Sequence, residues 1–441
     1  MDPEPPWRGS EEARVNRISR TLAMMGLALA AAPAGAAEEP DLGKELDVST
    51  VVRLALERNP DLAEAGERVQ AADARARAAG RWPDMGIQAQ LWQQPLSRPV
   101  DFSQANMIMV GIRQAFPAPG AASWREEAGV AEAQAARAQS QARRAEVVQE
   151  VRRAFAQYWL AEQEQLIHLE HMDITDHIVR DSRAYLAQGQ MANADFLRTT
   201  VELSRFHAVL STVAQQRRAS GALLNTLMAR EPDAPLGTPR AMSLPELEQS
   251  VAELEAHAEE KPEVVAARAG VTRAEAQLSA VRAESTWPEF MIGLDYGYMP
   301  MDGSSTYTAM LGFTLPWLAP RHSDQRREAS ASLAGAERTL TSARNQARYL
   351  LRDALARYRA ARDSYDLVER ELLPQAQMAA GAAQDAFRSG RAESLGLLDA
   401  MRQLLDVKLE SARSRARVEE AWADVERAAG RVPAATQEGK P

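Results

Sequence analysis

The chain contains no cysteine among its 441 residues. Disulfide bonds, thiolate nucleophiles and cysteine-ligated metal centres are therefore excluded. The same absence excludes a lipid anchor on an N-terminal cysteine. Aromatic residues make up only 5% of the sequence, so a large aromatic core is not available either. The abundance of alanine, leucine, arginine, glutamate and glutamine instead favours long helices with a shallow apolar stripe.

The sequence also lacks an excess of basic residues. Lysine and arginine number 52 against 61 aspartates and glutamates, which gives a net charge of −9 at pH 7. A protein that follows a nucleic-acid backbone needs concentrated positive charge, so nucleic acid is not a predicted partner. Nucleophile–base pairs, metal clusters and phosphate-binding glycine loops do not occur at suggestive spacing. We therefore predict that the chain is not an enzyme and has no cofactor.

Long apolar runs are missing as well, and a short one lies near the N-terminus. Three arginines between positions 14 and 20 precede an apolar stretch at 22–32, and small residues follow at 34–36. These are the three parts of a secretory signal peptide, and the stretch is too short to span a bilayer. We therefore predict a signal peptide over residues 1–37 and no transmembrane helix. The alternative is a retained amphipathic helix.

The remaining sequence contains the same series of signals twice. Leu186-Ala-Gln-Gly189 aligns with Phe387-Arg-Ser-Gly390 at an offset of 390 − 189 = 201. Trp82-Pro83 aligns with Trp287-Pro288 at an offset of 205, as expected if short loop insertions separate the copies. Alanine-rich helices resemble one another by chance, but that resemblance does not align their prolines and glycines. The sequence therefore indicates an internal duplication.

The duplication predicts the domain organisation. The first repeat covers residues 46–229 and the second covers 246–430, with a linker at 230–245 that is rich in proline, glycine and acidic residues. Residues 431–441 are predicted to be a disordered tail. Each repeat is predicted to contain an amphipathic helix (48–80 and 245–285), two short strands, a long helix (121–186 and 321–386), a glycine turn and a further helix (192–229 and 392–429).

The predicted strands alternate between apolar and small or polar residues. In 290–298 one face carries phenylalanine, isoleucine, leucine and two tyrosines, and 307–315 repeats the pattern. Strands of about ten residues with one apolar face are typical of a membrane barrel wall. Four strands cannot close a barrel alone, so several chains would have to share one. The alternative is a water-soluble sheet packed on the helices. Aromatic residues predicted for an interfacial belt are Tyr296, Tyr298, Tyr307, Trp92 and Trp317.

The long helices exceed what a compact domain of this size needs. A helix of about 65 residues is roughly 100 Å long at 1.5 Å per residue. Small residues along the seams allow close approach, and a 3.5-residue repeat makes helices supercoil. Both a hollow tube of helices and a solid two-hairpin coiled coil satisfy this pattern.

This order of signals resembles the TolC-like outer-membrane efflux protein family over residues 46–430. The resemblance is carried by the two helix–strand–strand–helix–turn–helix halves and by residues 55–62, Ala-Leu-Glu-Arg-Asn-Pro-Asp-Leu. It is also carried by the tip turns at Gly189 and Gly390, which are followed by Asp195-Phe-Leu and by Leu-Leu-Asp399.

The resemblance implies a mainly α fold with a transmembrane β-barrel. Three chains would share a twelve-stranded barrel in the outer membrane of a Gram-negative cell, continued by a periplasmic tube of helical hairpins. The tip residues Leu186, Gly189, Phe387 and Gly390 would contact a periplasmic adaptor (membrane fusion) protein, which joins the channel to an inner-membrane transporter of the RND type. The implied function is passive export through an efflux channel.

Two carboxylates are candidate aperture residues by the same resemblance. Asp399 matches an aspartate that narrows the family's closed aperture and gives it cation preference, and Asp195 matches a tip carboxylate that helps to hold the closed state. Gly396 stands where many members carry a second aperture aspartate, so a double acidic ring is in doubt. A ring of carboxylates in a narrow pore attracts cations. The alternative is that each aspartate is solvated beside a helix start.

The cargo and the histidines are less well defined by the sequence. Residues 82–120 look like the first barrel hairpin of family members that work with heavy-metal-exporting pumps, which implies metal cations or small toxic compounds as cargo. His168 and His171 share one helical face, with His177 away from it, but no ligand set is complete. We interpret these residues as exposed helix histidines and most of the sixteen methionines as core or strand packing.

A soluble periplasmic coiled-coil adaptor is the competing interpretation. Adaptors of these pumps carry lipoyl-like and barrel domains rich in β-strand, which flank a single helical hairpin. The present chain has two predicted hairpins and little predicted strand, which disfavours an adaptor.

Overall fold

A computed structural model gives the fold of residues 42–97, 99–244, 251–389, 391 and 394–430. The predicted signal peptide (1–37) and tail (431–441) lie outside these described residues, as do Gly390 and the last position of the predicted linker. None of the helices in the described ranges carries an apolar stretch sufficient to cross a bilayer.

The described residues of the first half form four helices and three strands. They are β1 (Glu45–Leu46), α1 (Val48–Arg58), α2 (Pro60–Ala79), β2 (Gly86–Trp92), β3 (Met107–Phe116), α3 (Ala121–Ala187) and α4 (Asn193–Leu227), with a 3-10 turn at Phe102–Gln104. The helix predicted over 48–80 is broken because Pro60 cannot continue α1. Asn59 caps the new helix, since its side chain accepts a hydrogen bond from the backbone N–H of Asp61 at 3.0 Å.

The second half repeats this order. Its elements are β4 (Thr238–Pro239), α5 (Val251–Ala256), α6 (Pro262–Thr286), β5 (Phe290–Met299), β6 (Ser304–Phe313), α7 (Arg321–Leu367), α8 (Leu373–Arg388) and α9 (Ser394–Ala428), with 3-10 turns at His257–Glu260 and Pro316–Leu318. A proline again divides the predicted first helix, here Pro262. A π-helical segment at Val368–Leu372, closely followed by Pro374, separates α7 from α8, whereas α3 runs for 67 residues without a break.

Four strands, two from each half, form one antiparallel sheet in the order β2-β3-β5-β6. Its register pairs Gln88 with Gly111, Gly111 with Asp295, and Asp295 with Thr308. The last strand covers 304–313, where 307–315 was predicted. It begins directly after the turn at Gly303 and ends shortly before the 3-10 turn that starts at Pro316. β1 and β4 form a separate two-stranded parallel pair.

The longest helix, α3, is the centre of the helical packing. It packs against α2, α4, α6 and α9, and α7 packs against α6 and α9. Between α7 and α9, Leu351, Leu355 and Val418 are almost completely buried. Apolar contact of this kind, with many alanines along the seams, stabilises the long helices, because helices gain most of their stability from tertiary packing.

Ion pairs connect α9 to the first repeat along much of its length. They are Arg402–Glu202, Lys408–Glu170, Arg413–Glu164, Asp424–Arg153, Glu426–Arg152 and Arg427–Glu146. Each of these pairs keeps at least one partly exposed partner, so screening by water reduces its individual contribution. Their positions nevertheless show that polar contacts as well as apolar ones join the two repeats.

The close approach of α2 and α3 at Gly129 gives a test of this packing. A Cβ atom on Gly129 would lie 2.7 Å from the Cα of Ala76, so Gly129→Ala must displace backbone. We expect a net loss of about 1 kcal/mol or more, because overpacking a tight contact costs about 1–3 kcal/mol. The measurement is thermal unfolding of the detergent-solubilised protein by circular dichroism.

Gly66 of α2 is the matched control, since nothing lies within 4 Å of a Cβ added there. Gly66→Ala should raise stability by about 0.5–1 kcal/mol, the ordinary gain in a helix interior. Equal effects of the two substitutions would contradict the close packing of α2 on α3.

Candidate functional site

The sheet exposes large apolar side chains on one of its faces. Along β5 the alternating residues Ile292, Leu294 and Tyr296 are exposed, and on β6 the exposed fraction reaches 81% for Tyr307. The same face carries Ile87, Leu91, Val110, Ile112, Phe290, Tyr298, Leu311 and Phe313. Soluble monomers rarely expose an apolar patch of this extent, whereas the lipid-facing side of a membrane strand has this composition.

Trp92 does not belong to this apolar face. It pairs with Met107 at the end of β2, one position after Leu91, so the alternation places it on the opposite side of the sheet. The prediction that Trp92 belongs to the interfacial belt is therefore wrong. The register places Tyr296, Tyr298 and Tyr307 on the apolar face.

The opposite face of the sheet carries glycines and polar residues together with Trp92 and the methionines of the strands, and a buried carboxylate lies at its centre. Asp295 is 7% exposed, and its Oδ1 accepts a hydrogen bond from Nε2 of Gln88 at 3.0 Å. Gly111 lies between Gln88 and Asp295 in the register of the sheet. The carboxylate fits because Gly111 has no side chain: a Cβ atom there would lie 1.9 Å from Oδ1 of Asp295. The sequence analysis did not single out this site, although an aspartate between Gly293 and Gly297 in a strand was an available signal.

The two outer strands leave backbone groups unpaired within the described part of the chain. β2 is hydrogen-bonded only to β3, and β6 only to β5. An open edge presents a row of N–H and C=O groups that another strand can pair with. In hydrocarbon such an edge is not tolerated, because no water is present to satisfy it.

The first tip turn joins α3 to α4 at Gly189. Gly189 has a φ of +70°, a left-handed conformation that glycine adopts at low cost. The N–H of Gln190 donates to the carbonyl of Tyr185 at 2.9 Å, and the N–H of Gly189 donates to that of Leu186 at 3.0 Å. This is the Schellman arrangement that ends many helices. Leu186 is half-buried, and the residues that follow it in the turn are exposed.

The second tip is held against the first by Phe387. Its side chain is 6% exposed, and its ring lies edge-on to Tyr185 with centroids 5.6 Å apart. The N–H of Arg391 donates to the carbonyl of Ala386 at 2.9 Å, which closes this turn like the first; Gly390 itself lies outside the described residues. The surrounding buried cluster consists of Ile178, Ala380, Leu397, Met401 and Leu404. The side chain of Phe387 therefore packs between the two hairpins and is not exposed on the tip.

The two candidate aperture carboxylates lie at the starts of the helices that follow the tips. Asp195 is in the first turn of α4, its side chain is 28% exposed, and Arg198 lies 3.2 Å away. Asp399 is 58% exposed and lies 3.5 Å from Arg402. Asp399 is therefore the more accessible of the two carboxylates. Gly396 has open space where a side chain would be.

A strong ion pair near the tips connects the two repeats. Arg402 donates to Glu202 through Nε at 3.0 Å and Nη2 at 2.6 Å, and the Glu202 side chain is only 10% exposed. These hydrogen bonds lower the pKa of Glu202. The sequence analysis did not predict this pair. An available signal was that its members stand 200 positions apart, close to the repeat offset of 201.

Two of the three helix histidines are buried, which corrects the expectation that they are exposed. His168 and His171 are 8% and 4% exposed, because Phe206 of α4 packs over them, with its ring centroid 5.2 Å from that of His171. Burial lowers the pKa of His171 to about 4. His177 is exposed as expected and lies 3.8 Å from Asp173. Groups of three or more histidine, aspartate or glutamate side chains that could hold a metal ion are not found among the residues with described positions.

Comparison with known proteins adds a family and a fold. A sequence profile of the family described as outer membrane efflux protein matches residues 51–230 and 254–431. A membrane protein from Pseudomonas aeruginosa has 19% identity and a TM-score of 0.75, with coverage of 87% of this chain and 93% of its own. The outer membrane protein VceC from Vibrio cholerae has 19% identity and a TM-score of 0.71, with coverage of 87% and 96%.

A third structure is the Neisseria gonorrhoeae MtrE outer membrane channel in its open state. It has 18% identity and a TM-score of 0.73, and the match covers 87% of this chain and 89% of that one. At identities this low, the structural similarity establishes a shared fold alone. No functionally curated protein sequence matches the chain.

The buried position of His171 predicts how the stability of the protein depends on pH. Its folded pKa of about 4 lies below the usual 6.5, so the unfolded chain binds the proton more readily between these values. Stability should therefore fall as the pH is lowered from about 6.5 to about 4. In a His171→Phe variant this loss of stability should be smaller. The Tm of the variant minus the Tm of the wild type should therefore increase as the pH falls through that window.

His177→Gln is the control, because His177 is on the same helix but is 61% exposed. Thermal unfolding at several pH values measures both variants. A His171→Phe protein with the same pH dependence as the wild type would show that His171 is not held neutral by burial.

Proposed function

The chain belongs to the outer membrane efflux protein family, and from that premise we propose that three copies of it close a single channel. It is an outer-membrane channel of a tripartite efflux system and not an enzyme. Its helices lie in the periplasm, where the family works with an adaptor protein and an inner-membrane pump. An RND-type transporter is the partner that we propose for this chain.

The shape of the sheet supports the proposed trimer. Four strands with one lipid-compatible face and two open edges must find further strands, because a membrane barrel has no open edge. Three chains supply twelve strands, with β2 of one chain paired to β6 of the next. The apolar face around Tyr307 then faces lipid, and the face with Asp295 lines the water-filled pore.

The helices support the same assembly. In the series α4–α3–α9–α7, the two end helices carry exposed apolar residues, such as Leu197 (54%) and Val201 (52%) on α4 and Leu350 (41%) and Leu367 (49%) on α7. In a trimer α7 of one chain covers α4 of its neighbour, and the helices close into a tube. This arrangement favours the hollow tube over a solid coiled coil.

The tip is the proposed meeting point with the adaptor. The exposed backbone of the first turn around Leu186 and Gly189 is available for contact, as is the second turn between Phe387 and Gly390. Asp399, which is exposed beside these turns, is proposed to form the single acidic ring of the aperture, and Asp195 to help hold it closed. Metal cations or small toxic compounds are the proposed cargo.

A cross-link between β2 and β6 tests the trimer. Gln90 on β2 and Thr306 on β6 lie on the same face of the two edge strands. A bismaleimide with a long spacer is needed, because strand tilt staggers neighbouring strands where a barrel closes. Because the chain has no cysteine, a Gln90→Cys/Thr306→Cys protein should react with a bismaleimide only at these sites. We expect covalent trimers in denaturing gels.

Each single-cysteine protein is the control and should give no trimer, since trimer formation needs both edges. A doubly substituted protein that stays monomeric under the same conditions would count against a barrel shared between chains.

The aperture proposal predicts a change in pore block. Replacing Asp399 with asparagine removes one charge per chain from the acidic ring, so block of the reconstituted pore by a trivalent cation should weaken about tenfold or more. Asp406→Asn, two helical turns further along α9 at another exposed position, should have a smaller effect. Unchanged block in Asp399→Asn would exclude Asp399 from cation selection.

A further inference from the structure

All five methionines of the four-stranded sheet lie on one face. Met107 and Met109 are on β3, Met291 and Met299 are on β5, and Met310 is on β6. Alternation along β3 and β5 places the first four on the side of Gly111 and Asp295, and the pairing of Asp295 with Thr308 places Met310 there too. The opposite face is built from isoleucine, leucine, valine, alanine and aromatic residues, with Gln114 and Ser305 as polar exceptions near its two ends.

This distribution is the reverse of what apolar character alone predicts. A methionine that serves only as an apolar side chain suits the lipid face, since the inside of a membrane barrel is polar. Elsewhere in the chain methionine occurs both in the core, as at Met228 (0% exposed) and Met401 (5%), and on the surface, as at Met301 (78%) and Met378 (68%). On the pore face the thioethers stand among glycine, threonine, glutamine and charged residues. Their sulfur, rather than their hydrophobicity, distinguishes them there.

Glycines opposite the methionines shape how the thioethers lie. Met109 pairs with Gly297, Met291 with Gly312 and Met310 with Gly293. The methyl carbon of Met310 is 3.3 Å from the position of a Cβ on Gly293, and that of Met291 is 3.4 Å from one on Gly312. The side chains of Met310 and Met291 therefore lie along the wall, and all five methionines are half-buried.

The methionines form two groups at different heights. The first group lies at the end of the sheet away from the helices and consists of Met107, Met109 and Met299. Ile108 pairs with Tyr298 at this end, and the three methionines are the chain neighbours of that pair. Met291 and Met310 lie diagonally across β5 and β6 at the helical end. Diagonal neighbours have Cβ atoms about 7–8 Å apart, within reach of long side chains. Asp295 lies between the two groups.

We propose that these two thioether groups are transient binding sites for a soft monovalent metal cation, Cu(I) or Ag(I), on its way through the barrel. Thioethers select such cations, whereas magnesium and calcium prefer oxygen ligands. A conducted ion must be bound and then released, and two successive sites with few ligands each meet both requirements. Asp295 adds negative charge between them. The inference depends on the proposed channel, because only there does this face line the pore.

Silver binding to the full-length protein tests the proposal. Silver nitrate is titrated by calorimetry, in chloride-free buffer, into the detergent-solubilised wild type and into two variants. These are Met107→Leu/Met109→Leu/Met299→Leu and Met291→Leu/Met310→Leu, which keep apolar volume and remove sulfur. We expect each variant to lose the silver bound by its own group. Met228→Leu/Met401→Leu, which changes two buried methionines outside the sheet, should bind as the wild type does.

Conductance of the protein in planar bilayers separates this proposal from the channel itself. Silver should reduce the wild-type current at concentrations that leave the five-fold leucine variant unaffected, and magnesium nitrate should not distinguish the two proteins. A wild type that conducts but neither binds nor responds to silver would overturn the thioether sites and leave the channel intact. Leucine variants that bind silver like the wild type would overturn them equally. A wild type without conductance would instead contradict the channel, and the transit role with it.

Discussion

The unpaired backbone N–H and C=O groups at the open edges of the four-stranded sheet set the main constraint on this protein. An apolar face as exposed as that around Tyr307 suits lipid, yet β2 and β6 carry edge groups that lipid cannot satisfy. The chain therefore cannot insert alone, and identical neighbours are the simplest source of the missing strands. Membership of the outer membrane efflux protein family accords with this physical requirement.

The two repeats differ in ways that matter to the assembly. Both contribute two strands and a helical hairpin, but α3 is continuous, whereas the corresponding helix is interrupted by a π-helical segment and by Pro374. The tips are also unequal, because Phe387 is buried against Tyr185 while Leu186 is only half-buried. A threefold channel built from such chains alternates two kinds of hairpin around its axis.

Features governed by local patterns could be predicted from the sequence, and those governed by distant contacts could not. Period-two alternation predicted β5, and glycine predicted the first tip turn, since both signals lie within a few residues. The breaks at Asn59 and Pro60 were missed, although proline was the available signal. The burial of His171 depends on a helix that returns from the tip, and the pairing of Glu202 with Arg402 joins residues from different repeats. No local periodicity contains that information.

Site-directed spin labelling along β6 tests the central claim most directly. Because the chain lacks cysteine, single cysteines can be introduced at Thr306, Tyr307, Thr308 and Ala309 in turn and labelled in reconstituted membranes. The account predicts that collision with lipid-soluble oxygen is high at Tyr307 and Ala309, and that collision with a water-soluble nickel complex is high at Thr306 and Thr308. Equal access of the nickel complex to all four positions would contradict it, because both faces of the sheet would then lie in water.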